Sequence, residues 1–255
     1  MFIDSHCHLN FPDFADRLPD IYQRMQDNQV SHALCISVDL ESFPQVLAIA
    51  ASRNNLYATV GVHPDHEDCA EPTVEDLVRL AADPKVIGIG ETGMDYYRSP
   101  GPLAWQQDRF RVHIRAARAT GKPLIIHTRA ASEDTLAIMR EENAAEAGGV
   151  MHCFTESMEV AMAAMDLGFY ISFSGIVTFK NAKDLKEVAK AVPLERMLIE
   201  TDSPYLAPMP FRGKTNEPGF VKHVAEEIAR LKETSVEEVG AVTSRNFRRL
   251  FLKQD

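Results

Sequence analysis

The sequence predicts an α/β fold, a (β/α)8 TIM barrel, and three observations carry the prediction. Eight short β-rich apolar runs recur, amphipathic stretches alternate with them, and no Ser/Gly-rich linker, charge block or low-complexity tract divides the 255 residues. Alternation of strand and helix requires a parallel sheet, because parallel neighbours are joined only by long crossovers. Eight such units in about 250 residues match a closed barrel, with a doubly wound open sheet as the alternative. Residues 1–255 are read as one domain.

The elements follow in order. FIDSH (2–6) reads as a strand, LPDIYQRMQDN (18–28) as a helix, and ALCISV (33–38) and YATVGVH (57–63) as strands. VEDLVRLAA (74–82) is helical, VIGIGE (86–91) a strand, WQQDRFRVHIRAARA (105–119) a helix and PLIIH (123–127) a strand. TLAIMREEN (135–143), MEVAMAAMD (158–166) and AKDLKEVAKA (182–191) are helices between the strands GVMHCF (149–154), YISFSG (170–175) and MLIETD (197–202). VKHVAEEIARL (221–231) and SVEEVGAVTSRNFRRLF (235–251) close the chain, the latter opened by a capping box of Ser235 and Glu238. Two loops are rich in turn residues: Ser99-Pro100-Gly101-Pro102 and SPYLAPMPFRGKTNEPG (203–219).

A hydrophobic content of 45% with 25% charged residues is that of a folded globular protein and excludes a disordered chain. The first residues carry no basic-then-apolar leader and no apolar run is long enough to span a bilayer, so a cytoplasmic protein without membrane association is expected. Cys7, Cys35, Cys69 and Cys153 lie far apart with no C-x-x-C pair, which fits reduced thiols. A net charge of -10 argues against non-specific nucleic-acid binding by the whole surface, though not by a cleft made locally positive by divalent cations.

The chemistry gathers at strand ends. His6 and His8 end the first run, His63 the third, Glu91 the fourth, His127 the fifth, His152 the sixth and Asp202 the eighth. In a barrel these ends surround one mouth, so ligand types scattered along the chain converge. His6, His8, Glu91 and Asp202 are expected on one divalent ion, and Glu91, His127 and His152 on a second, with Glu91 bridging through its two oxygens. Two ions at this spacing would activate a water for in-line attack, with Glu91 and Asp202 as the catalytic carboxylates and Asp202 as general base. Imidazole-rich sets favour zinc, manganese or iron over magnesium, so the choice among zinc, manganese and magnesium stays open.

Substrate contacts are expected from His63, Asp95, Arg129, Arg212, Lys214 and Asn216, the last three in the loop after strand eight, where barrels often bind phosphate. His32, His113 and His223 are assigned no chemistry. Gly88-Ile89-Gly90-Glu91-Thr92-Gly93 matches the dinucleotide fingerprint formally, but no helix opens after it and Glu91 would repel a pyrophosphate, so no organic cofactor is expected.

The tracts DSHCHL, GVHP, GIGETGMDYY, PLIIHTR, MHCF, YISFSG, LIETDSPYLAP and RGKTNEP, with the closing SRNFRRLF, resemble the TatD-type metal-dependent deoxyribonucleases of the amidohydrolase-like barrel group. The resemblance is nearest to an enterobacterial branch of metal-dependent hydrolases. It implies a barrel with divalent metals on His6, His8, Glu91, His127, His152 and Asp202, hydrolysing phosphodiester bonds in DNA as a 3'-5' exonuclease; separately, a monomer is the expected form. One departure is Ala130, where the family carries an acidic residue after H-[ST]-R. An ester or amide hydrolase, such as an aminoacyl-tRNA deacylase, would use the same ligands, and a non-catalytic metal-binding protein is the third reading.

Overall fold

The computed structural model describes residues 1–99 and 103–254. Residues 100–102, in the first of the two turn-rich loops, lie outside the described residues. The strands β1 (Phe2–Cys7), β2 (Val30–Cys35), β3 (Leu56–Val60), β4 (Val86–Asp95), β5 (Leu124–Arg129), β6 (Gly149–Met151), β7 (Tyr170–Phe173) and β8 (Met197–Ile199) pair in sequence order, every pair parallel. The ring closes where Cys7 pairs with Ser203 in a parallel bridge and Ser5 Oγ donates to Ile199 O at 3.0 Å. The open-sheet alternative is thereby excluded.

Helices α1 (Leu18–Asp27), α2 (Phe43–Ala51), α3 (Val74–Leu80), α4 (Ala104–Thr120), α5 (Ser132–Glu141), α6 (Met158–Asp166), α7 (Lys183–Ala191), α8 (Val221–Lys232) and α9 (Val236–Phe247) accompany the strands. Only α2 has no counterpart among the patterns read from the sequence. Its segment FPQVLAIAA is apolar nearly all round, so no 3.6-residue stripe stands out. Ser235 caps α9 as expected, accepting from Glu238 N at 3.1 Å.

Ile3, Leu34, Ile87, Ile125, Val150 and Leu198 come from six different strands and form one cluster with Phe247 and Phe251. Side chains from strands all round a ring can meet only in its lumen, so this cluster is the apolar floor on which the polar upper lumen rests.

Strand β4 runs four residues beyond the Glu91 predicted to end it. Glu91 therefore lies within the strand, beside a register shift between Ile89 and Thr92. The glycines of GIGETG serve this strand: a Cβ on Gly93 would sit 1.9 Å from His127 O, so only glycine lets β4 and β5 approach.

Glu233 ends α8 at φ 55°, a left-handed conformation that disfavours side chains with a Cβ. Glu233→Gly should stabilise the fold by about 1 kcal/mol, seen as a higher urea midpoint at unchanged slope.

Candidate metal centre

The end of β1, the middle of β4 and the segment after β8 bring four donors together. His6 Nε2 lies 3.3 Å from His8 Nε2, 3.3 Å from Glu91 Oε2 and 3.5 Å from Asp202 Oδ1, and His8 Nε2 lies 3.4 Å from Asp202 Oδ1. Four ligands held tetrahedrally at zinc-type bond lengths sit about 3.4 Å apart. His6, His8 and Glu91 each offer a donor atom within 4.8 Å of the others, as do His6, His152 and Asp202, spacings at which a divalent ion can be shared.

The other oxygen of Glu91 faces a second group. Oε1 lies 2.7 Å from His152 Nε2, 3.3 Å from His127 Nδ1 and 3.3 Å from His63 Nε2. His63, expected as a substrate contact, thus stands with Glu91 and His127 in one candidate ligand group, a placement decided by the two residues that carry the chain past β3. His152 Nε2 is buried and turned toward Glu91 Oε1. Its ring also stacks on His6 at 3.9 Å between centroids, so the two groups abut. Several imidazole nitrogens turned toward one shared carboxylate are what a ligand set looks like.

Electrostatics agree. Burial would raise the pKa of Glu91, but the surrounding His152, His63 and His6 and the hydrogen bond from His127 hold its carboxyl well below the usual range. Asp202 is also lowered: burial opposes, and the hydrogen bond from His8 with the charges of His6 and His152 outweighs it. Both carboxylates are ready-made anionic ligands.

Each histidine of the second group leans on a carboxylate through its other nitrogen. His152 Nδ1 meets Glu200 Oε1 at 3.2 Å, His127 Nε2 meets Asp95 Oδ2 at 3.1 Å, and His63 Nδ1 hydrogen-bonds Asp65. Such pairs fix the tautomer and raise the basicity of a metal-binding imidazole. Glu200 escaped sequence reading; its place two residues before Asp202 was the available signal. Asp95, expected as a substrate contact, is buried, faces His127 and accepts from Tyr97 N and Arg98 N.

Helix α4 supports the same group. Arg109 donates to His63 O at 2.8 Å, and His113 Nε2 accepts from Val62 N at 3.0 Å while its Nδ1 donates to Arg109 O. His113 touches no donor group itself, in keeping with its assignment to no chemistry, yet it holds the segment that carries His63.

The loop after β8 differs from expectation. Arg212 lies over the Phe179 ring and Lys214 over Phe211, both exposed, and neither lines the cavity. Asn216 is fully buried: its amide donates to Thr201 O and Tyr205 O and its oxygen accepts from Glu217 N. These three stand outside the residues that line the cavity. The loop folds back onto its own aromatic rings and backbone, which a surface reading of charges does not anticipate. Arg129 does line the cavity, a space of about 500 Å³ above the two donor groups. Ala130 beside it takes φ 54°, so the departure from an acidic residue leaves an exposed left-handed turn.

Two measurements check this arrangement. Glu200→Gln should weaken binding of one divalent ion by about 10- to 100-fold while sparing the other, read by titration calorimetry of the metal-stripped protein. His113 is held neutral, burial lowering its pKa to about 4 from 6.5. The unfolded chain therefore binds the proton first, and this contribution is whole above pH 6.5 and lost as pH falls toward 4, roughly 3 kcal/mol in all. Proton NMR of the metal-free protein should find this ring still neutral at about pH 5.5, a unit below the ordinary histidine value.

Comparisons with known proteins bear on the same residues. The family model described as TatD related DNase matches residues 3–252. The metal-dependent hydrolase YcfH of Escherichia coli K12 is 48% identical over 253 residues, covering 98% of this chain and 95% of its own. A 3'-5' ssDNA/RNA exonuclease, TatD of Edwardsiella piscicida, is 31% identical over 98% of both chains. The crystal structure of the E. coli TatD homologue YjjV superposes with a TM-score of 0.92 at 28% identity, over 98% of both chains. With two facing donor groups at the mouth of a closed barrel and a family model matched almost end to end, the chain belongs to the TatD-related DNase family and is a metal-dependent hydrolase.

Proposed function

We propose that the protein is a two-metal phosphodiesterase that shortens DNA or another phosphodiester chain from an end, 3'-5' as in the Edwardsiella relative. The observation that carries it is the division of Glu91, with Oε2 facing His6 and His8 and Oε1 facing His63, His127 and His152. A bound pair of divalent ions, zinc, manganese or magnesium, would polarise the scissile phosphate and lower the pKa of water between them.

The remaining chemistry falls to the chain's own groups. Glu91 and Asp202 balance the added positive charge, and Asp202, 17% exposed, reaches the cavity where its carboxylate can take a proton from the attacking water. Arg129 stands in the cavity wall with no carboxylate paired to it among the described residues, a cation suited to a phosphate oxygen. A phosphodiester uses that charge, whereas a neutral carbonyl ester does not. A cavity of this size is that of a single-ligand site, so a chain end enters without the basic groove that the net charge of -10 disfavours.

Metal-stripped protein should leave end-labelled single-stranded DNA intact and shorten it stepwise once magnesium, manganese or zinc is restored. Glu91→Ala should abolish cleavage, and Arg129→Ala should raise KM on the order of tenfold. Metal-loaded protein that spares every phosphodiester but cleaves carbonyl esters would overturn the reading in favour of an ester or amide hydrolase.

A further inference from the structure

We infer that Arg98 is a positioning residue for the second donor group: its guanidinium clamps Asp65 in the orientation that braces His63, and so sets how tightly the ion that His63 and His127 share with Glu91 is held. This rests on the two-ion reading above. Arg98 drew no assignment from the sequence, yet it lines the cavity, and its Nη1 donates to Asp65 Oδ2 at 2.5 Å. The other oxygen of Asp65 hydrogen-bonds His63 Nδ1, and His63 Nε2 stands 3.3 Å from Glu91 Oε1.

The three carboxylates that brace the second group are not held alike. Glu200 and Asp95 are each 1% exposed and are fixed by the main chain: Cys153 N donates to Glu200 Oε1 at 2.8 Å, and Tyr97 N and Arg98 N donate to Asp95 Oδ1, both at 2.9 Å. Asp65 is 12% exposed, and among the described residues no backbone N–H reaches its carboxylate. Apart from His63, its close partner is Arg98; the His66 ring stays 3.8 Å away. Arg98 thus does with a side chain what buried main-chain amides do for the other two.

The clamp is itself seated. Arg98 N is one of the two amides on Asp95, which faces His127, so this residue is tied to the supports of both histidines. One residue farther along, Ser99 Oγ donates to Glu67 Oε1 at 3.1 Å, a second tie between the same two segments. A guanidinium near a divalent ion also repels it, and the two effects have opposite signs. Arg98 is 61% exposed and acts across a carboxylate and an imidazole ring, where solvent screens the repulsion, so orientation wins. Affinity for the ion should therefore fall, not rise, when the guanidinium is removed.

The test is calorimetric titration of the metal-stripped protein with manganese, in which wild type should show two binding events. Asp65→Asn should weaken one of them by about 10- to 100-fold, which marks it as the event at His63. Arg98→Ala should weaken the same event by about two- to fivefold and leave the other unchanged. Arg98→Lys, which keeps a cation for Asp65, should recover most of the loss, and Arg98→Ala should add nothing in the Asp65→Asn background. Activity lost in Arg98→Ala should return as manganese is raised. Equal weakening of both events, tighter binding, a loss that persists without the Asp65 carboxylate, or a raised KM that excess manganese does not repair would each overturn the proposal and leave the two-ion reading standing. A single binding event in wild type would overturn both.

Discussion

A carboxylate buried inside the barrel is the constraint on which the rest depends. Glu91 is 3% exposed, and an ionised group at that depth is tolerable only if positive or polar partners surround it. The chain answers with imidazoles from the ends of β1, β5 and β6 and from the segment after β3, one set for each oxygen. No single strand could present them all. The closed ring is therefore a condition of the site, because it alone brings residues separated by nearly the whole sequence within one hydrogen-bond length of a central side chain.

The two donor groups are built differently. The first has two histidines whose Nδ1 atoms make no hydrogen bond among the described residues, with Asp202 as a terminal carboxylate. The second has three histidines, each leaning on a carboxylate of its own. Negative charge is thus placed directly at one position and relayed through imidazole rings at the other. The same supporting groups also organise the mouth: Asp95 fixes the turn carrying Tyr97, and Asn216 fixes the loop between Thr201 and Tyr205. Ligand geometry and rim geometry are coupled through shared hydrogen bonds.

Much of this was legible in the chain. The alternation of strands and helices predicted the barrel, and the ligand types at strand ends predicted the convergence of His6, His8, Glu91, His127, His152 and Asp202 in space. The errors have physical causes. Helix α2 hid because its apolar residues cover every side, and Asp95 resembled a mouth residue because the length of β4 depends on close glycine packing against β5. Arg212, Lys214 and Asn216 stand away from the cavity lining, a placement that charge and loop position do not reveal because they carry no information about which way a loop folds back.

By itself, then, the sequence determined the architecture and six of the candidate donors, because periodicity is a local property and ligand chemistry belongs to residue type. Tertiary structure alone decided how those donors divide between the two oxygens of Glu91, that His63 stands among them, and that Glu200, Asp65 and Asp95 orient them. Those are matters of direction within a few ångströms. They follow from strand register, backbone turns and buried hydrogen bonds between distant segments, none of which is written in any short stretch of the chain.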